Sequence, residues 1–231
     1  LLVIDGLGHD YLTNQCRGSL LSSYCHERLS SVCPSTTAAA IPTFLTGRAP
    51  QQHGFTGWFT YFAEIGSVLA VLPFRTRIGA LQVDDSLLSP AALCGADPLL
   101  SNIQRCCNLI IPDWIAGSSF NRAFSGRARI APFADLNGVR KALRRALRRG
   151  RETSFTYAYW PEFDSLAHQF GIGSPQVQAH FEQLDRLFAD LLSDLRGSDS
   201  VLLVTADHGF IDTSPETTIH LENHPLLQQT L

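Results

Sequence analysis

Three short apolar or aromatic runs in this chain lead into residues that a protein core does not accept unpaired. "LLVI" (1–4) runs into Asp5, "SFTYAYW" (154–160) is followed by Asp164 and His168, and "VLLVT" (201–205) is followed by Asp207 and His208. Short continuous apolar runs of this kind predict strands buried on both faces, and therefore a parallel sheet. Helical patterns separate them. Leu136, Val139, Leu143 and Leu147 form an apolar stripe over 136–149 that Gly150 ends. Ser174–Pro175 reads as an N-cap followed by proline in the first turn, opening a helix to Arg196. Val177, Phe181, Leu184, Phe188, Leu191 and Leu195 form its inward stripe, and Gly197 stops it. Strands alternating with helices predict an α/β fold, a mostly parallel central sheet flanked by helices. In open sheets of this class, ligands bind beyond the carboxyl ends of the strands. The polar residues at the three run ends should therefore meet at one sheet edge, although some 200 residues separate the first from the last.

The remaining segments are read with the same rules. Residues 9–28 predict a helix with Gly18 as its weak point, "LSSVCP" (29–34) a second strand, and 37–46 a helix stopped by Gly47. Residues 55–135 lack a long amphipathic helix and are rich in aromatics, which predicts an insertion or cap of mixed structure on a single domain spanning 1–231. The chain has no Met and opens inside an apolar run, so it is expected to be truncated at both ends.

Composition excludes several functions. Of 231 residues 45 % are hydrophobic and 17 % charged, with a net charge of −3, so a polyanion-binding surface is not expected. Arg140, Lys141, Arg144, Arg145, Arg148 and Arg149 decorate one helix, which is read as a solvated face with cations toward the helix C-terminus. No run is long enough to span a membrane. The six cysteines have no metal-ligand spacing, which favours a reduced, cytoplasmic protein.

The strand-end residues carry the chemistry. Asp and His are the N/O donors that suit zinc and other divalent first-row metals. Asp164 and His168 are four apart and share a face if their segment is helical. Thr37 follows the predicted strand at 29–34 and starts a helix among small alanines. As a helix cap, Thr36 or Thr37 would have no chemical role. Beside a divalent metal, a threonine hydroxyl becomes a nucleophile, and the amides of a helix N-terminus hold a phosphate. With the distant ligands in place, the nucleophile is the preferred reading.

Taken together these residues resemble the alkaline phosphatase superfamily, in particular its nucleotide pyrophosphatase/phosphodiesterase branch. "VIDGLG", "PSTT" leading to "TG", "PQQHG" (50–54), Glu162–Asp164–His168 and "DHG" (207–209) follow in the order of that family's motifs. The resemblance implies an alkaline-phosphatase-like fold and hydrolysis of small-molecule phosphate esters, nucleotides among them, with no nucleic-acid polymer as partner. It implies Thr37 as nucleophile and two divalent ions, zinc or alternatively manganese. One ion is held by Asp5, Asp207 and His208 and meets the Thr37 oxygen. The other is held by Asp164, His168 and a further histidine, for which His224 is preferred over His220. His9, His26, His53 and His180 are read as ordinary surface or core residues. The chain departs from the family at Trp58, where an asparagine that contacts the phosphoryl group is expected. Phe55, Trp58, Phe59 and Tyr61 are candidates for the pocket wall or, equally, for the core of the cap itself.

Three rivals remain at this stage. A sulfatase would need an arginine and a spacer that "CPST" (33–36) lacks. A phosphomonoesterase would want cations near Thr37, and the nearest, Arg48, is at the far end of the helix. A non-catalytic metal-binding domain could have kept the same scaffold.

Overall fold

The structure is a computed structural model that describes residues 1–149 and 153–229. Its centre is a five-stranded sheet. In chain order the strands of the molecule are β1 (Leu2–Ile4), β2 (Phe59–Phe62), β3 (Ser67–Ala70), β4 (Arg75–Thr76), β5 (Cys106–Pro112), β6 (Arg129–Phe133), β7 (Ser154–Trp160) and β8 (Val204–Thr205). The central sheet has the order β6-β5-β7-β1-β8, and its described pairings are all parallel. Alternation along each strand divides the core into two layers. Leu2, Ile4, Ala158 and Trp160 face one cluster, packed under the helices Leu136–Arg149, Glu162–Phe170 and Pro175–Leu195. Val3, Leu109, Ile111 and Tyr157 face the other, which holds the helix Thr37–Thr46.

Register sets up the site. Ile4 pairs with Trp160 and Val3 with Thr205, so β1, β7 and β8 end at nearly the same height. Asp5, the turn into helix Glu162–Phe170, and Asp207 all emerge at that edge.

The long helix begins as its sequence predicts, with the Ser174 side chain accepting from Val177 N–H. Its outer residues Asp190 and Asp194 bind Arg140, and Asp194 also binds Arg144. Part of the basic face is thus paired to a neighbouring helix. Gly150, the expected stop of the helix 136–149, lies outside the described residues.

Several expectations are corrected. The helix over 9–28 is broken into Tyr11–Gln15 and Leu20–Ser23, because Gly18 adopts a φ of +92° between them. Asp185 accepts the Leu20 and Leu21 amides and restarts the second piece. Residues 29–34 are not a strand and join neither sheet. They run irregularly past the site, where the Ser31 hydroxyl donates to the Asp207 carbonyl at 2.5 Å. The run 201–205 pairs only through Val204 and Thr205, at the sheet edge, and leaves Val201 and Leu203 exposed.

The stretch 55–135 is divided. Its first part carries a small antiparallel sheet, β2-β3-β4, whose Phe62 and Leu69 pack with Phe55, Phe120 and Phe124. Its second part contributes β5 and β6 to the central sheet itself. Among the described residues, no helix is long and apolar enough to cross a membrane. The six cysteines are all unpaired.

Candidate active site

The helix Thr37–Thr46 is built for close approach. Ala38, Ala39 and Ala40 are buried with no side chain beyond a methyl, and Gly47 ends the helix with a φ of +69°. Thr36 occupies the N-cap position in an extended conformation, yet its side chain makes no capping bond. Thr37 is the first helical residue, only 9 % exposed, and its hydroxyl points away from the helix. Its Oγ1 lies 3.0 Å from His208 Nε2 and 3.4 and 3.5 Å from the two carboxylate oxygens of Asp5. Capping therefore does not account for the pair of threonines. Thr36 sits where a cap would, and Thr37 faces a carboxylate and an imidazole.

Asp207 is oriented by backbone. Its Oδ1 accepts the amides of Gly6 (3.1 Å) and His208 (2.9 Å), so the loop after β1 and the loop after β8 are tied together. That junction requires glycine. A Cβ on Gly8 would come within 2.6 Å of the Gly209 Cα, and one on Gly6, whose φ is +74°, within 2.6 Å of the Phe210 ring. His208 Nδ1 donates to the Gly209 carbonyl at 3.3 Å, because a carbonyl can only accept. The Nε2 lone pair is left facing the carboxylates: 3.4 Å from Asp5, 3.6 Å from Asp207 and 3.9 Å from Asp164.

The second half is looser. Asp164 and His168 are one turn apart on helix Glu162–Phe170, with His168 Nε2 3.5 Å from Asp164 Oδ1. The Asp164 side chain is 16 % exposed, that of His168 71 %. Phe210 packs its ring on both His168 and His208.

The charges do not balance within the protein. Asp5, Asp164 and Asp207 gather at one edge, and among the described residues no lysine or arginine forms an ion pair with any of them. Asp207 Oδ2 and Asp164 Oδ1 are buried without a hydrogen bond. Burial, then the charges of Asp207 and Asp164, push Asp5 up to about 9. Burial also raises Asp164, opposed by His168 and His208. Buried carboxylates with bare oxygens cost several kcal/mol unless a cation joins them. Ligand atoms of Asp5, Asp207 and His208 lie within 4.8 Å of one another, a set that a divalent metal fits.

A model of the type I phosphodiesterase/nucleotide pyrophosphatase family matches residues 1–229. The chain belongs to this family. Among solved structures, murine ectonucleotide pyrophosphatase/phosphodiesterase 5, an inactive variant in complex with AMP, superposes with a TM-score of 0.69 at 16 % identity over 97 % of this chain. Phosphonoacetate hydrolase from Sinorhizobium meliloti, in complex with phosphonoacetate, gives 0.66 at 17 % identity over 100 %. The human ectonucleotide pyrophosphatase/phosphodiesterase 5 gives 0.66 at 15 % over 97 %. These likenesses show the alkaline-phosphatase-superfamily fold. The chain spans about 60 % of the length of each, 60 %, 61 % and 60 % in that order. A search of curated protein sequences gave no match.

Of the residues expected at this phosphodiesterase-family site, Asp5, Thr37, Asp164, His168, Asp207 and His208 are brought to one sheet edge. His224 is not placed with them. It is exposed, and among the described residues it makes no hydrogen bond or ion pair and joins no ligand cluster with Asp164 and His168. His220 is exposed as well and pairs with Glu222. His53 is structural. Its Nδ1 accepts from Phe55 N–H, and its Nε2 faces the Ala39 carbonyl and the Thr43 hydroxyl, which holds "HG" against the Thr37 helix.

Asp5 and Thr37 line a cavity of about 890 Å³. Of the aromatic candidates only Trp58 lines it. Phe55 is buried in the core under β2 and β3, and Phe59 and Tyr61 are exposed on β2. Two residues were not foreseen. The Tyr159 hydroxyl donates to Asp5 Oδ2 at 2.5 Å, and Tyr157 lines the same cavity. The signal was present in "FTYAYW": positions two apart on a strand share a face.

Proposed function

We propose that this chain carries the catalytic centre of a metal-dependent phosphodiesterase of the nucleotide pyrophosphatase type, with Thr37 as nucleophile. The observation that carries the reading is the Thr37 hydroxyl, 3.0 Å from His208 Nε2 and 3.4 Å from Asp5, at the start of a helix and lining a cavity large enough for an organic phosphate. Asp5, Asp207 and His208, with the Thr37 oxygen, would hold one divalent ion, and Asp164 and His168 a second, zinc or manganese. Bound there, the ions would neutralise the three carboxylates and supply positive charge to the phosphoryl and leaving oxygens.

The residues of the chain do the rest. Asp207, fixed by two amides, and Asp5, fixed by Tyr159, keep the nucleophile's surroundings rigid. Thr37 Oγ1 gives up its proton to solvent as it bonds to phosphorus, and the ester oxygen opposite leaves with its electron pair and takes a proton from solvent, so one P–O bond forms and one breaks. Water then cleaves the new Oγ1–P bond and restores the hydroxyl. The Ala39 and Ala40 amides bond to the Thr36 carbonyl, so the Thr37 and Ala38 amides at the helix start would be the ones to donate to phosphoryl oxygens.

A panel of chromogenic phosphodiesters and monoesters, assayed with zinc or manganese, tests the reading. Turnover of diesters above monoesters, abolished in Thr37→Ala, is expected. Two bound metals without turnover of any ester would return the chain to a metal-binding role.

A further inference from the structure

Two tyrosines of β7 share the cavity face beside Asp5, and they are in opposite states. The Tyr159 hydroxyl is committed to Asp5. The Tyr157 hydroxyl is buried and, among the described residues, makes no hydrogen bond. Tyr157 packs against the Thr37 helix, its ring 6.4 Å from that of Phe44, and lines the same cavity as Thr37. A buried hydroxyl without a partner costs roughly 1–3 kcal/mol, a cost that phenylalanine at this position would avoid. Strain of this sort is retained where a ligand relieves it.

We propose that the Tyr157 hydroxyl donates a hydrogen bond to a non-bridging oxygen of the phosphoryl group bound at Thr37, making Tyr157 a substrate-binding residue of this site. This rests on the phosphoester-hydrolase reading above. A neutral tyrosine hydroxyl carries one O–H that can donate to a phosphoryl oxygen. Trp58, on the same cavity wall, offers only an indole N–H.

The test is Tyr157→Phe in the metal-loaded protein, with inorganic phosphate as the binding probe. Turnover should fall roughly 100-fold, the cost of losing one donor to a developing phosphoryl charge. Phosphate binding should weaken about tenfold. Metal content should stay unchanged, and the thermal midpoint should hold or rise, because an unsatisfied hydroxyl has been removed. Tyr159→Phe should instead loosen metal binding. Equal turnover and phosphate affinity in wild type and Tyr157→Phe would overturn the inference alone. A lower midpoint with parallel metal loss would overturn it too, by making Tyr157 a structural residue. A wild-type chain that turns over no phosphoester would defeat the function reading, and this inference with it.

Discussion

The two halves of the site are built to different standards. Around Thr37, Asp5, Asp207 and His208, each group is oriented by a second contact: two amides hold Asp207, Tyr159 holds Asp5, and the Gly209 carbonyl holds His208. The Asp164–His168 half hangs on one turn of helix, and its histidine faces solvent. Where the chemistry needs an atom held in place, the chain supplies backbone hydrogen bonds and glycine contacts. Where it needs only charge, it supplies a carboxylate and an imidazole one turn apart. The difference teaches that the buried half should be intolerant of change and the open half adjustable.

The largest effect should follow from Thr37→Ala, which removes the proposed nucleophile and leaves the carboxylates in place. Turnover should drop roughly a thousandfold or more while metal content, read by elemental analysis, is retained. Next, Asp207→Asn keeps the two amide contacts but loses the charge. Metal affinity in that half should fall about a hundredfold, whereas Asp164→Asn should weaken only the other ion. If both variants lose both ions equally, the two halves are one site and the comparison breaks.

A third effect comes from pH. Without metal, Asp5 stands at about 9, against 3.8 for the free group, through burial first and then Asp207 and Asp164. The folded state then holds a proton that the unfolded chain releases. The contribution of Asp5 to the stability of the metal-free protein should therefore be fully present below about pH 4 and be lost as pH rises towards 9. Added zinc or manganese should flatten that slope, and thermal midpoints across the range would read it. The smallest effect is expected from His224→Ala. Its exposed position predicts unchanged metal content, and loss of one ion would place His224 at the open half after all.

How much of this the sequence disclosed depended on how local the cause was. Asp5, Thr37, Asp164, His168, Asp207 and His208 were legible because each follows a strand or opens a helix, and parallel topology brings strand ends together. Residues 29–34 misled because a short apolar run reads as a strand, and whether a sheet edge receives it is a property of the whole fold. Residues 201–205 misled in a related way: the run is apolar enough for a central strand, but it sits at the edge and pairs through two residues. The region 55–135 mixes a local antiparallel sheet with two strands whose partners are the distant β7 and each other, so no local pattern divides it. Tyr157 and Tyr159 passed unnoticed because a tyrosine in a strand is ordinarily packing, and only the position of Asp5 across the register gives the second hydroxyl a partner. The Gly8–Gly209 contact was legible as two glycine-rich loops and not as a pair.

The central claim is a covalent one, that phosphorus is transferred to Thr37. It is tested most directly by quenching the metal-loaded enzyme in acid during turnover of a phosphodiester and mapping the modified peptide by mass spectrometry. The account predicts a phosphoryl adduct on Thr37, absent in Thr37→Ala and absent without metal. Steady turnover with an unmodified Thr37 peptide, or an adduct on Thr36 instead, would contradict it.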